Sequence, residues 1–192
     1  MSATFLEIVL VGAMCVGKST IGRLLAARLG LAYRSTDAMW GAGVPTLGFD
    51  AARAEGFWAR GDHRALYEYG KPFEVALLES LAVEPGVLEV GCTFTVQEDT
   101  ALANRCTSAL RRHPNVVHLV ASLDAEEHER ILFARLLARS GGQTPEEPEL
   151  WMWQRSVRQR IAAQVAAHTV STKDRRPEEV VEAIIGVVGG IR

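Results

Sequence analysis

The chain has 192 residues, close to the roughly 150 of an ordinary domain, so it holds one domain with small insertions rather than two full ones. Hydrophobic residues at 48% and charged residues at 23% are the proportions of a chain that can bury a core, which excludes wholesale disorder. With 21 Lys and Arg against 23 Asp and Glu the formal charge is -2, which excludes attachment to nucleic acid by phosphate neutralisation alone; any polyanion bound is expected to be small.

Phe5 to Val11 is a short apolar run closed by Gly12, the pattern of a strand buried on both faces. Ile21, Leu24, Leu25 and Leu29 then recur at helical spacing, and Gly30 stands where that helix ends. Residues 31–36 read as a second strand, after which Gly41, Gly43, Pro45 and Gly48 mark loop. From Ala51 to Leu81 the pattern is helical with breaks at Gly61 and at Gly70-Lys71-Pro72, giving two or three helices. Val87 to Val90 is a third strand closed by Gly91. A helix from about Asp99 to Arg112 carries Cys106 beside Leu102 and Leu110 as an apolar filler, and Val116 to Val120 is a fourth strand. Asp124, with Glu127 three residues on, opens a helix that runs to about Arg139.

Residues 140–145 read as a flexible connection, followed by one long helix to about Ala167. A fifth strand, His168 to Thr172, and a last helix with Pro177 as its N1 residue complete the chain. Strands alternating with helices imply an α/β fold: a five-stranded parallel sheet with helices on both faces. No apolar run approaches the roughly 18–20 residues of a membrane span, and the first residues lack a basic targeting segment. The expectation is a cytoplasmic protein without membrane or nucleic-acid partners, a monomer or weak homodimer.

Gly12-Ala13-Met14-Cys15-Val16-Gly17-Lys18-Ser19 matches G-x-x-x-x-G-K-[ST] in full and lies between a predicted strand and a predicted helix. Its glycines let backbone N–H groups converge on phosphate oxygens, and the helix adds its positive end. Residues 12–20, through Thr20, are therefore the expected ATP cradle, with Lys18 reaching the β- and γ-phosphates and the Ser19 hydroxyl on Mg²⁺. The fold class narrows to a three-layer P-loop NTPase. Cys15, Cys92 and Cys106 cannot all pair and have no metal-ligand spacing; Cys15, inside the loop, is open to a thiol-reactive role.

Gly12 to Thr20, then Ile21-Gly22-Arg23-Leu24-Leu25-Ala26 and Ser35-Thr36-Asp37, resemble the opening of shikimate kinases, small P-loop kinases of the nucleoside monophosphate kinase fold. The resemblance covers most of the chain in element order and implies transfer of the ATP γ-phosphoryl group to a hydroxyl of a small polar metabolite. It also implies a substrate-binding helical insertion at about 38–82 and a lid at about 135–149. The family's Asp-x-Asp is here Ser35 and Asp37, so only the second carboxylate carries over. It makes Asp37 the candidate that binds and orients the acceptor hydroxyl, with the role of its base open to the same carboxylate; a helix N-cap is the other reading.

The family's Phe-Arg pair, which holds the shikimate carboxylate, is kept neither in Gly56-Phe57-Trp58-Ala59-Arg60 nor in Lys71-Pro72-Phe73-Glu74, leaving Arg60 or Arg64 as replacements. Its triple glycine is Gly91-Cys92-Thr93, which implies a narrower pocket and makes shikimate itself a poor fit. Arg155 resembles the family arginine that opens the following helix and binds the substrate carboxylate; Arg175 falls in the loop flanking adenine. Among lid cations Arg139 is favoured over Arg135 by position and charge.

Glu89 interrupts an apolar strand, where an unpaired charge would cost several kcal/mol. It reads either as a carboxylate holding Mg²⁺, in place of the acid absent at Ser35, or as a partner of an arginine or of solvent. Of Trp151 and Trp153, two apart, one is expected in the core and one at the substrate cleft. Two other functions stay open. A nucleoside or nucleotide kinase would stack its base on Trp40, Phe57 or Trp58, and a non-catalytic ATP-binding regulatory module would need no acceptor site.

Overall fold

The computed structural model describes residues 6–189, so the Phe5 start expected for the first strand lies outside the described residues. β1 (Glu7–Gly12) is buried along its whole length and sends alternate side chains to two cores, Ile8 and Leu10 to one, Val9 and Val11 to the other. It pairs in parallel with β3 (Gly86–Glu89) and with β4 (Val116–Val120). β2 (Tyr33–Ser35) lies outside β3, and β5 (His168–Ser171) outside β4, giving the order β2-β3-β1-β4-β5.

α1 (Lys18–Leu29), α6 (Ala125–Arg139) and α9 (Pro177–Gly189) cover one face through Ile21, Leu25, Leu132 and Ile184. α4 (His63–Ser80), α5 (Thr100–Leu110) and α8 (Arg160–Val165) cover the other through Val75, Leu78, Cys106, Leu110 and Ile161. Each fully buried aliphatic side chain contributes about 1.5–3 kcal/mol, so these two cores fix the sheet and the loops at its edge. Three layers about a parallel sheet are the expected P-loop architecture, and Cys106 is the apolar filler it was read to be, 0% exposed.

The Asp124 carboxylate accepts from the Glu127 N–H, as the sequence pattern requires. The Glu127 carboxylate, however, does not close the capping box; it bonds the Ser122 hydroxyl and Lys173 instead. Three other expectations are corrected. The stretch read as loop after the second strand is α2 (Thr36–Gly43) followed by a 3₁₀ turn (Val44–Leu47). It is held by Trp40, whose ring meets Phe49 and Phe94 edge-on at 5.6 and 5.9 Å, and by buried Val44.

After α3 (Ala51–Ala59), α4 runs unbroken through Gly70-Lys71-Pro72. Burial of Gly70, Lys71, Glu74, Val75, Leu77 and Leu78 along one stripe outweighs the hydrogen bond that Pro72 removes. The long helix expected to reach Ala167 is two: α7 (Glu147–Ser156) and α8, parted at Gln159, whose backbone is left-handed with φ 28°. No helix among the described residues is long and apolar enough to cross a membrane.

Candidate active site

β1 has a neighbour on either side whose connection leaves in the opposite direction, so the chain parts at its C-terminal end. That crevice is where open α/β sheets bind ligands. The loop after β1 holds Gly12, Cys15 and Gly17 at positive φ (151°, 63° and 104°), which turns successive N–H groups toward one side ahead of the α1 N-terminus. Gly12 is also close against β4: a Cβ there would meet the Leu119 carbonyl and lie 3.2 Å from Val16 Cγ1. Lys18, 7% exposed, folds its ammonium onto the loop's own carbonyls at Gly12 (2.9 Å) and Ala13 (3.1 Å).

A cavity of about 500 Å³ opens over this loop, walled by Lys18, Ser19, Asp37, Glu89, Arg135 and Arg139, with Cys92, Thr93 and Met152 beside them. The Ser19 hydroxyl donates to Glu89 Oε1 at 2.7 Å, and the Tyr33 hydroxyl donates to Glu89 Oε2. Glu89 thus has neither an arginine nor open solvent, being 4% exposed; two hydroxyls hold its charge. Burial, and then the Glu89 carboxylate, push the Tyr33 phenol up to about 12. The tyrosine was not singled out from sequence. Its one signal was Gly22 inside α1, where a Cβ would stand 2.8 Å from the Tyr33 ring.

Ser35, not Asp37, is the N-cap of α2, and Asp37 sits in that helix's first turn facing the cavity. Desolvation by the cavity walls raises its carboxyl pKa; Lys18 pulls it down, while Glu89 and Glu74 push it up. Glycine at position 91 leaves room for Asp37, because a Cβ would collide with Asp37 Oδ1 and lie 2.9 Å from the Phe94 ring; its N–H donates to Thr36 Oγ1 at 2.8 Å.

Arg135 is anchored, donating to the Val16 carbonyl (3.4 Å) and to Thr172 Oγ1 (3.1 Å). Arg139 is 66% exposed, with Glu149 4.0 Å away, and its guanidinium partly offsets the rise that burial gives the Cys15 thiol. Arg175 lines a smaller cavity of about 210 Å³ on the far side of the loop, with Gly17, Thr20, Arg135 and Pro177.

Two expected acceptor-site arginines are not brought to the main cavity. Arg60 ends α3, exposed, over the ring of its own helix's Phe57 at 5.4 Å. Arg155 lies over the Trp151 ring at 3.6 Å and pairs with Glu98 at 3.2 Å, in a separate cavity of about 510 Å³ between residues 95–98 and 153–161. Arg64 is spent on Glu68. Neither tryptophan of α7 faces the cavity: Trp151 meets Tyr67 edge-on, and Trp153 packs against Phe133. Trp40 is partly buried against the core, Phe57 packs on Tyr69, and Trp58 is 62% exposed; none of the three lines the cavity over the phosphate loop.

Sequence reading also missed a buried polar layer behind the cavity. Lys71 and Glu74 pair at 2.8 Å on α4, the Thr93 hydroxyl donates to Glu74 (2.7 Å), and Lys71 donates to the Thr93 carbonyl (2.7 Å). Gln159 donates to the carbonyls of Cys92 (3.0 Å) and Ser156 (2.7 Å) and accepts from Thr95; Ser156 in turn accepts from the Met14 N–H at 3.3 Å. The signal for the first was the i, i+3 spacing of Lys71 and Glu74, hidden by the apparent break at Pro72. The second had no signal in the sequence.

No protein-family model matches the chain. Shikimate kinase of Streptomyces avermitilis is 32% identical over 185 residues, 93% of each chain, and that of Pseudomonas aeruginosa is 32% identical over 183 residues, 93% of this chain and 94% of the relative. The chain belongs to the shikimate kinase family. The shikimate kinase of Acinetobacter baumannii, solved in complex with shikimate, shares the fold with a TM-score of 0.67 at 21% identity, covering 97% of this chain and 94% of the other. A gluconokinase from Sinorhizobium meliloti shares it at 0.59 and 18%, covering 96% and 92%. This member of the shikimate kinase family is an ATP-dependent small-molecule kinase, a phosphotransferase with the P-loop fold.

Proposed function

We propose that the cavity of about 500 Å³ transfers the ATP γ-phosphoryl group to a hydroxyl of a small polar alcohol, in a pocket narrower than that of shikimate kinases. The observation that carries this is the convergence of Lys18, Ser19, Glu89 and Asp37 on one wall-to-wall space with two arginines above it. Loop 12–20 receives the phosphates and the Arg175 side receives the adenine. Lys18 exchanges its loop carbonyls for β- and γ-oxygens. Asp37 orients the acceptor hydroxyl and takes its proton as the new oxygen–phosphorus bond forms and the bond to ADP breaks. Arg135 and Arg139 cover the transferring group and exclude water.

The Ser19 hydroxyl and Glu89 carboxylate, 2.7 Å apart at the α1 N-terminus, are a hard oxygen pair that fits Mg²⁺, which prefers few protein ligands and phosphate oxygens for the rest. Bound there, the ion would neutralise charge on the β- and γ-phosphates. The formal charge of -2 supports a chain that does not hold nucleic acid by phosphate neutralisation. Acceptor-stimulated ADP release across hydroxy acids, sugars, nucleosides and nucleoside monophosphates tests the reading. Stimulation by one alcohol class supports it; release that no alcohol alters would refute it.

A further inference from the structure

The acceptor end of the cavity is unlike its phosphate end in charge. Lys18, Arg135 and Arg139 supply the positive charge of its lining, whereas Asp37, Cys92, Thr93 and Met152 supply none, with Glu89 as a second carboxylate. Beyond those three, two further cations, Lys71 and Arg155, already hold counter-charges. Lys71, 5% exposed, has its ammonium between Glu74, the Thr93 carbonyl and the Tyr67 ring, whose centroid is 3.8 Å away. Arg155 is shared by Glu98 and Trp151. Neither borders the cavity.

What does border it accepts hydrogen bonds. The Thr93 hydroxyl gives its proton to Glu74, which leaves only oxygen lone pairs toward the cavity, and Asp37 presents a carboxylate. Asp37 already stands within the fields of Glu89 and Glu74, opposed by Lys18, and that lysine is the one the phosphates require. A carboxylate on the acceptor would enter as a further negative charge among these acids, in a partly desolvated space where like charges repel strongly. A specific site can reject a competitor through such repulsion as well as through missing contacts.

Resting on the kinase reading above, the geometry points to an acceptor that carries no negative charge, a neutral hydroxyl-rich alcohol. It makes Glu74 the residue that excludes hydroxy acids by holding Lys71 behind the Thr93 wall. Hydroxyl protons of such a compound would be donated to Asp37 and Thr93, the partners that the wall leaves unfilled.

The test uses matched pairs that differ only at the carboxylate: glycerate against glycerol, gluconate against glucitol, shikimate against its carboxamide. ADP release by the full chain with MgATP is read for each. In every pair that turns over, the neutral member should have at least a tenfold higher kcat/KM, and Glu74→Gln should shrink that ratio by lowering KM for the acid. An acid preferred over its neutral partner overturns the inference while leaving the kinase reading intact.

A second measurement does not depend on finding the acceptor or on catalysis. In the MgADP-saturated Cys15→Ala chain, Cys92 is the thiol bordering the cavity, since Cys106 is 0% exposed. Its rates with cationic aminoethyl and anionic sulfonatoethyl methanethiosulfonate, normalised to an unstructured cysteine peptide, should favour the cation at least tenfold. A ratio of one or less overturns the inference even if Glu74→Gln fails to fold. Should no pair stimulate ADP release although MgATP binds, the acceptor assignment of the cavity fails, and the Cys92 ratio still decides the charge.

Discussion

Replacing Glu89 by Gln separates a metal-holding role from a structural one, because the substitution keeps shape and removes only charge. The carboxylate accepts from Ser19 at 2.7 Å and from Tyr33, both bonds to an ionised acceptor worth about 1.5–3 kcal/mol against about 0.5–1.5 for neutral ones. The amide keeps one acceptor and turns the other position into a donor, so the folded state loses roughly 1–2 kcal/mol at each bond. Against this, a charge that is 4% exposed no longer has to be desolvated, a cost of several kcal/mol for a buried ion. Global stability should therefore move by less than about 2 kcal/mol. Mg²⁺ affinity in the presence of ATP should fall at least tenfold, which is about 1.4 kcal/mol.

The Tyr33 phenol supplies an internal control. Its midpoint, near 12, should drop toward the ordinary 10 but stop short, since burial is the larger cause and Glu89 the smaller. Calorimetric titration with Mg²⁺ and a tyrosinate absorbance titration, with Tyr33→Phe identifying the band, read the two effects independently. A downshifted phenol beside an unaltered metal titration would show that Glu89 serves only to hold Ser19 and Tyr33, and the metal assignment would be wrong.

Lys18→Ala should abolish MgATP-dependent phosphoryl transfer with an unchanged circular dichroism spectrum, since its ammonium touches carbonyls of the loop and no core; residual turnover above one percent would contradict this. Gly91→Ala should cut kcat at least tenfold while MgATP affinity stays within threefold, because the new methyl displaces Asp37 and leaves the loop alone; equal losses in both would place Gly91 at the nucleotide instead. Arg139→Ala should lower kcat far more than ATP affinity, whereas Arg135→Ala should also cost stability through its bonds to Val16 and Thr172, a contrast that thermal melts check. His118 is buried, its Nε2 has no partner, and burial lowers its pKa to about 4 from 6.5. Its contribution is complete above pH 6.5, where both states are neutral. It is lost as pH falls toward 4, because the unfolded chain takes up the proton first, by up to about 3 kcal/mol. His118→Leu should flatten that acid limb in melts run at stepped pH, and an unchanged slope would show that another group governs it.

The parts legible in the sequence are those whose physics is local. A nest of N–H groups needs left-handed backbone at set positions, so glycines at Gly12 and Gly17 announce it; an N-cap needs an oxygen one turn before a free N–H, so Asp124 announces itself. α4 was misread at Pro72 because the local penalty is visible and its compensation is not. The stripe from Gly70 to Leu78 lies against α2, α5 and the sheet, which only the tertiary fold brings together. Gln159 is the extreme case. A glutamine has no preference for φ 28°, and it is held there by the carbonyls of Cys92 and Ser156 and the Thr95 hydroxyl, from segments that the sequence keeps more than sixty residues apart in two of those three bonds.

The same division explains why the two ends of one cavity differ in how far they can be read. The proposed phosphate end is built from one loop and the helix it starts, where backbone N–H groups would do most of the recognition. The proposed acceptor end is assembled from side chains of α2, α7 and the loop after β3, with the charges of α4 behind them, and a charge there can be neutralised by a neighbour without changing the backbone. Arg155 kept the position expected of a carboxylate-binding arginine and is nevertheless committed to Glu98 and Trp151; Lys71 stands a residue behind the wall and is committed to Glu74. A cation in the right place therefore says nothing about an anionic substrate until its counter-charge has been found. For Arg155 and Lys71 the counter-charges are found, and what faces the cavity beside the phosphate loop is a carboxylate, a hydroxyl oxygen, a thiol and a thioether.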